Sequence, residues 1–194
     1  MSDDFRTRLE YGKEGQDILI QFLQRHFGYI FEAGEINGEV VNVDFIEELE
    51  NCEYIPPSNN RGSRLRFIRK NKEVILTMPD VFMSRNSNDS FYWIEVKRHE
   101  KYSNKFIVDK SNFDDYEELY KNYTRYKFYA MCLTPEDEFG SSFWDVYWCD
   151  LSTLIETKPK KAVSYNGNLV YVWNMREVLS KLNKYPIDIY LYKQ

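Results

Sequence analysis

The chain of 194 residues is 43% hydrophobic and 17% aromatic, with 8 glycines and 6 prolines, which is typical of a globular protein with one core. This composition excludes a disordered tail or linker. No apolar run approaches the ~18 residues that span a bilayer, and the N-terminus lacks the basic and apolar regions of a signal peptide. We therefore expect a single, soluble, cytoplasmic domain over residues 1–194.

The net charge of -5 argues against a general binder of polyanions, because non-specific nucleic-acid affinity comes mainly from cationic side chains. The basic residues are nevertheless clustered. Residues 61–72 contain basic side chains and no acidic one, and Arg98 and Lys101 belong to a second group. Two interpretations explain residues 61–72 equally well. They form either an exposed, solvated loop or edge strand, or a surface that contacts phosphates. The candidate nucleic-acid contacts are Arg61, Arg64, Arg66, Arg69, Arg98 and Lys101.

The cysteines are far apart in the sequence. Cys52, Cys132 and Cys149 fit no zinc-binding spacing with the two histidines of the chain. We expect buried thiols in a reducing compartment.

The first predicted element is an amphipathic helix over residues 10–27, since apolar side chains recur on one face at about 100° per residue. Gly28 fits a C-terminal cap. A strand begins at residues 29–31. Residues 33–72 are then predicted to form an irregular insertion, with strands near 40–46 and 65–69.

Two apolar runs, residues 74–83 and 91–97, are predicted to pair as a hairpin. Asn, Asp and Ser dominate residues 85–90 between them, and these residue types favour turns. The remaining predicted elements follow in chain order: a helix over 112–123, strands over 127–133 and 143–149, a hairpin with a two-residue turn at Asn166 and Gly167, a helix over 175–182 and a strand over 187–192. This order predicts an α/β fold with a mixed central sheet flanked by helices.

The predicted hairpin brings three charged side chains together. A symmetric turn pairs residues whose numbers sum to 175, which puts Asp80 opposite Glu95 with their Cβ atoms about 5 Å apart. Lys97 lies two residues beyond Glu95, and side chains at that interval leave the same face of a strand.

Such a group is unfavourable in a buried site unless a cation completes it, because each desolvated charge costs several kcal/mol. Mg²⁺ and Mn²⁺ prefer oxygen ligands and are typically held by one or two carboxylates. Asp80 and Glu95 could supply them, and the Val96 carbonyl a third oxygen. Lys97 would orient the attacking water. The alternative without a metal is a solvated salt bridge between Glu95 and Lys97 that stabilises the fold by only a few tenths of a kcal/mol. The aromatic run of residues 91–94 favours a buried strand instead.

These residues resemble the PD-(D/E)xK nuclease superfamily of restriction-endonuclease-like fold. The motif is Pro79 and Asp80, a gap of 14 residues, and Glu95, Val96 and Lys97. Residues 12–29 resemble the opening helix of the Holliday-junction-resolvase-like branch, and residues 115–119 the helix after the core strand. The resemblance covers about residues 10–150 and leaves the insertion and a C-terminal extension, residues 151–194, unexplained.

The resemblance implies a Mg²⁺- or Mn²⁺-dependent endo- or exodeoxyribonuclease that binds DNA and forms a homodimer, as many proteins of this fold do. The catalytic residues would be Asp80, Glu95, Lys97 and Gln16, and the metal ligands Asp80, Glu95 and Val96.

Gln16 departs from the pattern, because the matching residue of that branch is usually a glutamate that serves as an extra ligand. Glu14 is the obvious substitute, but it points about 160° away on the helix, and both cannot serve one site. Gln16 could still bond a metal-bound water through its amide oxygen. A neutral group weakens metal binding, so a second hypothesis is a nuclease-fold protein with little or no catalysis that acts as a nucleic-acid-binding or regulatory partner. A third, a coincidental motif in an unrelated protein, predicts that Asp80 and Glu95 are not neighbours.

Overall fold

A computed structural model describes residues 3–36, 39–58, 61–85, 90–99, 103–123, 126–136, 143–164, 167–184 and 187–192. It has the predicted architecture, a mixed central sheet flanked by helices. No helix in these ranges is long and apolar enough to cross a membrane.

Strands outnumber helices along the described part of the chain. The helices are α1 (Asp3–Phe27), α2 (Val43–Glu50), α3 (Lys110–Asn122), α4 (Leu151–Glu156), α5 (Met175–Val178) and a 3-10 helix (Ile189–Tyr192). The strands are β1 (Tyr29–Ile36), β2 (Glu39–Val41), β3 (Cys52–Ile55), β4 (Arg64–Arg69), β5 (Lys72–Thr77), β6 (Val81–Arg85), β7 (Ser90–Arg98), β8 (Lys105–Asp109), β9 (Lys127–Pro135), β10 (Phe143–Asp150), β11 (Lys160–Val163), β12 (Leu169–Asn174), β13 (Ser180–Lys181) and β14 (Ile187–Asp188).

The central sheet has the strand order β13-β10-β9-β7-β6-β1-β2, and β14 also pairs with β10. The strands β7 and β9 are parallel, with Glu95 beside Ala130 and Lys97 beside Cys132. Parallel neighbours need a crossover connection, and here β8 and α3 lie between them in the chain. Two smaller sheets, β3-β4-β5 and β11-β12-β8, complete the fold.

The two faces of β7 belong to different parts of the core. Ile94 and Val96 pack with the α1 residues Ile18 and Leu19. Trp93 packs in the other cluster, which contains Tyr116, Phe113 and Leu119 of α3. Side chains alternate along a strand, so Glu95 and Lys97 leave β7 on the α3 side, as Trp93 does. The prediction that this strand is buried on both faces is confirmed.

Several predicted elements are confirmed with shifted ends. The first helix begins at Asp3 rather than residue 10 and ends at Phe27, and Gly28 follows it with a positive φ of 65°, as its predicted cap role requires. The helix α3 and the strands β9 and β10 match their predictions closely. All three cysteines are free thiols; Cys132 and Cys149 are buried and Cys52 is partly buried.

The predicted strand over 74–83 is wrong, because two strands in different sheets occupy this stretch. The strand β5 ends at Thr77 in the β3-β4-β5 sheet, and β6 begins at Val81 in the central sheet. Pro79 lies between them, and proline cannot donate to a strand ladder. The chain therefore changes sheets around Pro79 and Asp80, the first part of the motif.

Other elements also differ from the predictions. The strand near 40–46 ends at Val41, and α2 starts at Val43. The helix over 175–182 ends at Val178, and the strand over 187–192 ends at Asp188, where the 3-10 helix replaces it. The strand β8 and the helix α4 were not predicted.

The predicted two-residue turn at Asn166 and Gly167 is also wrong. The hairpin pairs Val163 with Leu169, so its loop is one residue longer than predicted. Gly167 has a φ of 81° and donates its N–H to the Ser164 carbonyl, which suits a three-residue loop closed by a left-handed glycine. Residues 165–166 lie outside the described ranges.

Candidate active site

The hairpin β6-β7 brings the two motif carboxylates together. Val81 pairs with Ile94 and Arg85 with Ser90, so the predicted register, in which paired numbers sum to 175, is confirmed. Asp80 immediately precedes β6, and its Oδ2 accepts a hydrogen bond of 2.7 Å from the Val96 N–H. The turn itself, residues 86–89, is not among the described residues. The third hypothesis predicted that these carboxylates are apart, and that prediction is wrong.

The segment that carries Asp80 is fixed from two sides. On one side, the N–H and the hydroxyl of Thr77 both donate to Asp115 Oδ2 of α3, at 2.9 and 2.7 Å. On the other side, the Glu35 N–H of β1 donates to the Asp80 carbonyl at 2.9 Å. These bonds hold the backbone of the short segment between the two sheets, so the position of Asp80 does not depend on its side chain alone.

Gly34 allows this close approach. Its φ is 131°, which L side chains rarely adopt, and a Cβ there would lie 2.5 Å from the Asp80 carbonyl oxygen. A side chain at this position would push β1 away from the Asp80 segment.

Glu95 is buried in the middle of the group, with 3% of its surface exposed. Its Oε1 accepts a hydrogen bond from the Lys97 ammonium, which forms an ion pair with it. Its Oε2 is buried and has no hydrogen-bond partner within the described part of the chain. The Tyr116 hydroxyl of α3 lies beside the same carboxylate. Lys97 and Tyr116 are therefore the polar neighbours of the Glu95 carboxylate, and its Oε2 makes no close hydrogen bond within the described chain.

The pKa values of the group show how strongly its members interact. Burial and the nearby Glu95 charge raise the pKa of Asp80 well above its usual range, against the lowering effect of Lys97 and the Val96 N–H. Burial disfavours the charged form of Lys97, but Glu95 and Asp80 outweigh it and raise the pKa of Lys97. Burial, Glu95 and Asp80 also raise the pKa of Tyr116 well above 10. Lys97 is thus a cation and Tyr116 a neutral donor at neutral pH.

This group fits a divalent cation. Asp80 and Glu95 are neighbouring carboxylates that share the Lys97 cation, and Glu95 Oε2 makes no close hydrogen bond in the described chain. The N–H and C=O of one strand residue leave the backbone on the same side, so the Val96 carbonyl is directed towards Asp80, as its N–H is. No group of three or more His, Cys, Asp or Glu side chains suited to a metal occurs within the described ranges. Two carboxylates and a carbonyl would leave positions for water and phosphate, the usual arrangement for Mg²⁺.

Gln16 and Glu14 lie in α1, which packs on the other face of β7. The helix approaches the strand closely, since a Cβ at Gly15 would come within 2.9 Å of the Arg98 Cβ. Glu14 forms an ion pair with Arg98. Gln16 is 8% exposed, and its Oε1 is buried without a hydrogen-bond partner among the described residues. Gln16 therefore retains an available oxygen, whereas Glu14 is engaged.

The structure gives the predicted nucleic-acid contacts different surroundings. Arg61 is exposed and Arg64 is partly buried. Arg66 forms ion pairs with Glu53 and Glu73. Arg69 donates to the Asn122 and Tyr123 carbonyls at the end of α3. Their role as phosphate contacts stays a prediction, and the last two have intramolecular partners.

Arg98 is the predicted contact least available to a ligand. Its side chain is 3% exposed, pairs with Glu14 and lies over the Trp144 ring at 4.7 Å. A buried, paired guanidinium does not present its charge to solvent, so we leave Arg98 out of the proposed interface. Lys101 lies outside the described residues.

The sequence did not single out Asp115 and Tyr116. Tyr116 is buried in the core, and its hydroxyl also lies beside Glu95. Helical spacing predicts which face of α3 is buried, but it does not indicate what that face contacts.

Neither a family model nor a curated protein matches the chain. Among solved structures, a similar one is the 1.6 Å structure of Archaeoglobus fulgidus Hjc, a Holliday junction resolvase from an archaeal hyperthermophile. The identity is 9%, and the match covers 72% of this chain and 86% of that chain with a TM-score of 0.34. A similarity this distant supports no argument about function, which therefore depends on the geometry of the site.

Proposed function

We propose that the chain is a Mg²⁺- or Mn²⁺-dependent nuclease of restriction-endonuclease-like fold that hydrolyses phosphodiester bonds in DNA. The observation that supports this most is the Asp80 and Glu95 pair, two buried carboxylates that lie side by side next to Lys97. Glu95 Oε2 has no hydrogen-bond partner among the described residues. A buried oxygen of this kind is costly unless a cation completes the site.

Asp80, Glu95 and the Val96 carbonyl would hold the cation, which when bound supplies Lewis acidity at the phosphate and a more acidic water. Lys97 stays protonated, because the neighbouring carboxylates raise its pKa. It therefore orients the attacking water and offsets charge on the phosphorane, and it does not act as the base. Gln16 has a buried amide oxygen without a partner among the described residues, but α1 carries it on the face of β7 opposite Glu95 and Lys97, so we do not assign it a ligand role.

The test is cleavage of single-stranded, duplex and branched DNA by purified protein in Mn²⁺. We expect cutting of at least one substrate, and loss of at least ~100-fold in rate for Asp80→Asn and for Lys97→Ala, since each removes charge from the reacting centre. Asp114→Asn and Lys121→Ala are matched controls, because both residues lie on the exposed side of α3 in pairs with Lys110 and Glu117. Cutting that survives both site substitutions would contradict the proposal.

A second candidate is a protein that keeps this fold and binds nucleic acid or a protein partner without efficient catalysis. The neutral Gln16 in the position of a usual acidic ligand favours it, as does the net charge of -5. Calorimetric titration separates the two. If neither Mg²⁺ nor Mn²⁺ binds at millimolar concentration while DNA or RNA still does, the binding function replaces the enzymatic one.

A further inference from the structure

One face of the β11-β12-β8 sheet adjoins the candidate active site. Residues paired directly across strands share a face, as do residues two apart along a strand. In this sheet Ile107 pairs with Val172, which pairs with Lys160, and Lys105 pairs with Asn174. These residues share their face with Asp109, and we name it the outer face. The opposite face carries Phe106, Val108 and Trp173, which are in the core.

The outer face reaches the site at two points. Asp109, at the end of β8, lies near the Lys97 ammonium. His99, which follows β7 on the face of Glu95 and Lys97, makes a hydrogen bond to the backbone of Lys105. With strands about 4.8 Å apart and residues about 3.3 Å apart along a strand, Lys160 lies about 12 Å from Asp109 between Cα atoms.

The charge of the outer face is open to solvent. Lys105 and Lys160 are exposed, and so are Lys158 and Lys161 beside them on the sheet edge. No ion pair involves any of these four lysines within the described part of the chain, whereas Lys97, Lys110, Lys121 and Lys181 each have a carboxylate partner there. Ile107 is 38% exposed, in the same cross-strand row as Lys160 and two residues from Lys105 along β8. Asp109 is the one carboxylate among the paired positions of this face in the described chain, and it lies next to Lys97.

We infer that the outer face binds the phosphate backbone of the nucleic acid whose scissile bond lies at Asp80 and Glu95, with Lys105 and Lys160 as the contacts. This inference rests on the proposed function. Both lysines are closer to the Asp80 and Glu95 carboxylates than the length of one helical turn of duplex DNA, about 34 Å. The exposed lysines can bind phosphates, and the partly exposed Ile107 beside them can contact the sugars between the phosphates. Because Lys160 belongs to the C-terminal extension, the inference gives that region a role in substrate binding.

The experiment measures binding in EDTA, where a metal-dependent enzyme cannot cut. Labelled DNA of about 30 base pairs, about three helical turns, is titrated with wild type, with Lys105→Gln/Lys160→Gln and with Lys121→Gln/Lys127→Gln, and again as single-stranded and branched forms. The last pair is a matched control for the loss of two charges. Lys127 pairs with Tyr92, at the other end of β7 from Lys97 and about 17 Å away, and Lys121 lies near the end of α3.

Two lost phosphate contacts should reduce the slope of log affinity against log salt by about 1.8. The Lys105/Lys160 variant should then bind about ten- to thirtyfold more weakly near physiological salt, and the Lys121/Lys127 variant should keep the wild-type slope. Equal effects of the two pairs, or no effect of the first, would overturn the inference. So would unchanged DNA binding together with weaker binding to vesicles that contain phosphatidylserine, because the face would then meet a membrane surface.

Failures of the two proposals are distinguishable. If wild type cuts DNA, Asp80→Asn does not, and the Lys105/Lys160 variant binds normally, the site functions and the outer face is not its binding surface. If no protein cuts in Mg²⁺ or Mn²⁺ but the Lys105/Lys160 variant alone loses DNA binding, the face binds nucleic acid and the catalytic proposal is wrong.

Discussion

At the scale of single residues, Glu95 is a buried carboxylate with one oxygen that makes no hydrogen bond among the described residues. It is buried in the sheet, shares one oxygen with Lys97 and has no described partner for the other. Burial of a carboxylate with an unfilled oxygen opposes folding. Thr134 and Trp144 also have buried polar atoms without a described hydrogen-bond partner, so the Glu95 oxygen supports the proposed cation site only together with the neighbouring Asp80.

Tyr116→Phe tests the support that α3 gives to Glu95. Phenylalanine keeps the ring in the core and removes the hydroxyl beside the carboxylate, so Glu95 should be held less firmly in place and Mn²⁺ should bind about three- to thirtyfold more weakly. Isothermal titration calorimetry measures this affinity.

Tyr120→Phe is the control, because Tyr120 lies on the same helix and is only partly buried. Its variant should bind Mn²⁺ as wild type does. Equal Mn²⁺ affinity of the Tyr116→Phe and Tyr120→Phe variants would mean that the Tyr116 hydroxyl contributes only to packing. The melting temperatures of both variants are measured as well, so that a loss of stability is not mistaken for a loss of metal affinity.

Among the elements, the change of sheet between β5 and β6 is what frees Asp80. Thr77 is the last residue of one sheet and Val81 the first of the other. Asp80 lies outside both ladders, so its side chain can accept the Val96 N–H at the point where β6 no longer covers β7. The site thus forms where the pairing of two strands ends.

Gly34→Ala tests the packing of β1 against this segment. The added Cβ would meet the Asp80 carbonyl at 2.5 Å in a backbone conformation that alanine avoids, so the free energy of unfolding should fall by about 1–3 kcal/mol and cleavage should fall with it. Urea denaturation measures the stability change.

Gly12→Ala is its matched control. Nothing lies within 4 Å of a Cβ at Gly12, which is inside α1, so alanine should stabilise the protein by about 0.5–1 kcal/mol. A Gly34→Ala variant as stable and active as wild type would show that β1 can move without disturbing Asp80.

The sequence was sufficient to predict features that local rules determine. The turn-forming residues of 85–90 and the apolar runs beside them predicted the register of β6 and β7, and helical periodicity predicted α1 and α3. Both features depend on residues close together in the chain, where propensity and side-chain alternation act directly.

Features that depend on distant partners were not predictable in this way. The apolar run of residues 74–83 continues past Thr77, and the reason that β5 ends there is its pairing with β4 and the hydrogen bonds that Thr77 donates to Asp115, 38 residues away. The role of Tyr116 likewise depends on α3 lying over Glu95. Arg66 and Arg98 looked like free cations because their partners, Glu53, Glu73 and Glu14, are brought to them only by the fold.

For the whole molecule, the raised pKa of Asp80 links stability to pH. The folded protein holds the proton more tightly than the unfolded chain, whose Asp pKa is about 3.9. This contribution to stability is present below that value and is lost as the pH rises through the raised pKa of the folded state. Without metal, the melting temperature should fall over this range.

Thermal unfolding in EDTA across this pH range measures the effect. Asp80→Asn should remove this part of the pH dependence and melt higher than wild type at neutral pH, since an amide oxygen can still accept the Val96 N–H. Saturating Mn²⁺ should stabilise wild type, by about 2.7 kcal/mol at 100 times the dissociation constant, and should leave the variant almost unchanged. Identical pH profiles for the two proteins would contradict the coupling of Asp80 to Glu95.

The consecutive residues Asp115 and Tyr116 have a further consequence. One holds the segment that carries Asp80 and the next lies beside Glu95, so both carboxylates are tied to a single turn of α3. The proposed cation site should therefore keep the spacing of its two carboxylates and discriminate between ions by radius. We expect calorimetric titration to detect binding of Mg²⁺, with oxygen distances of about 2.1 Å, and no binding of Ca²⁺, which needs about 2.3–2.6 Å.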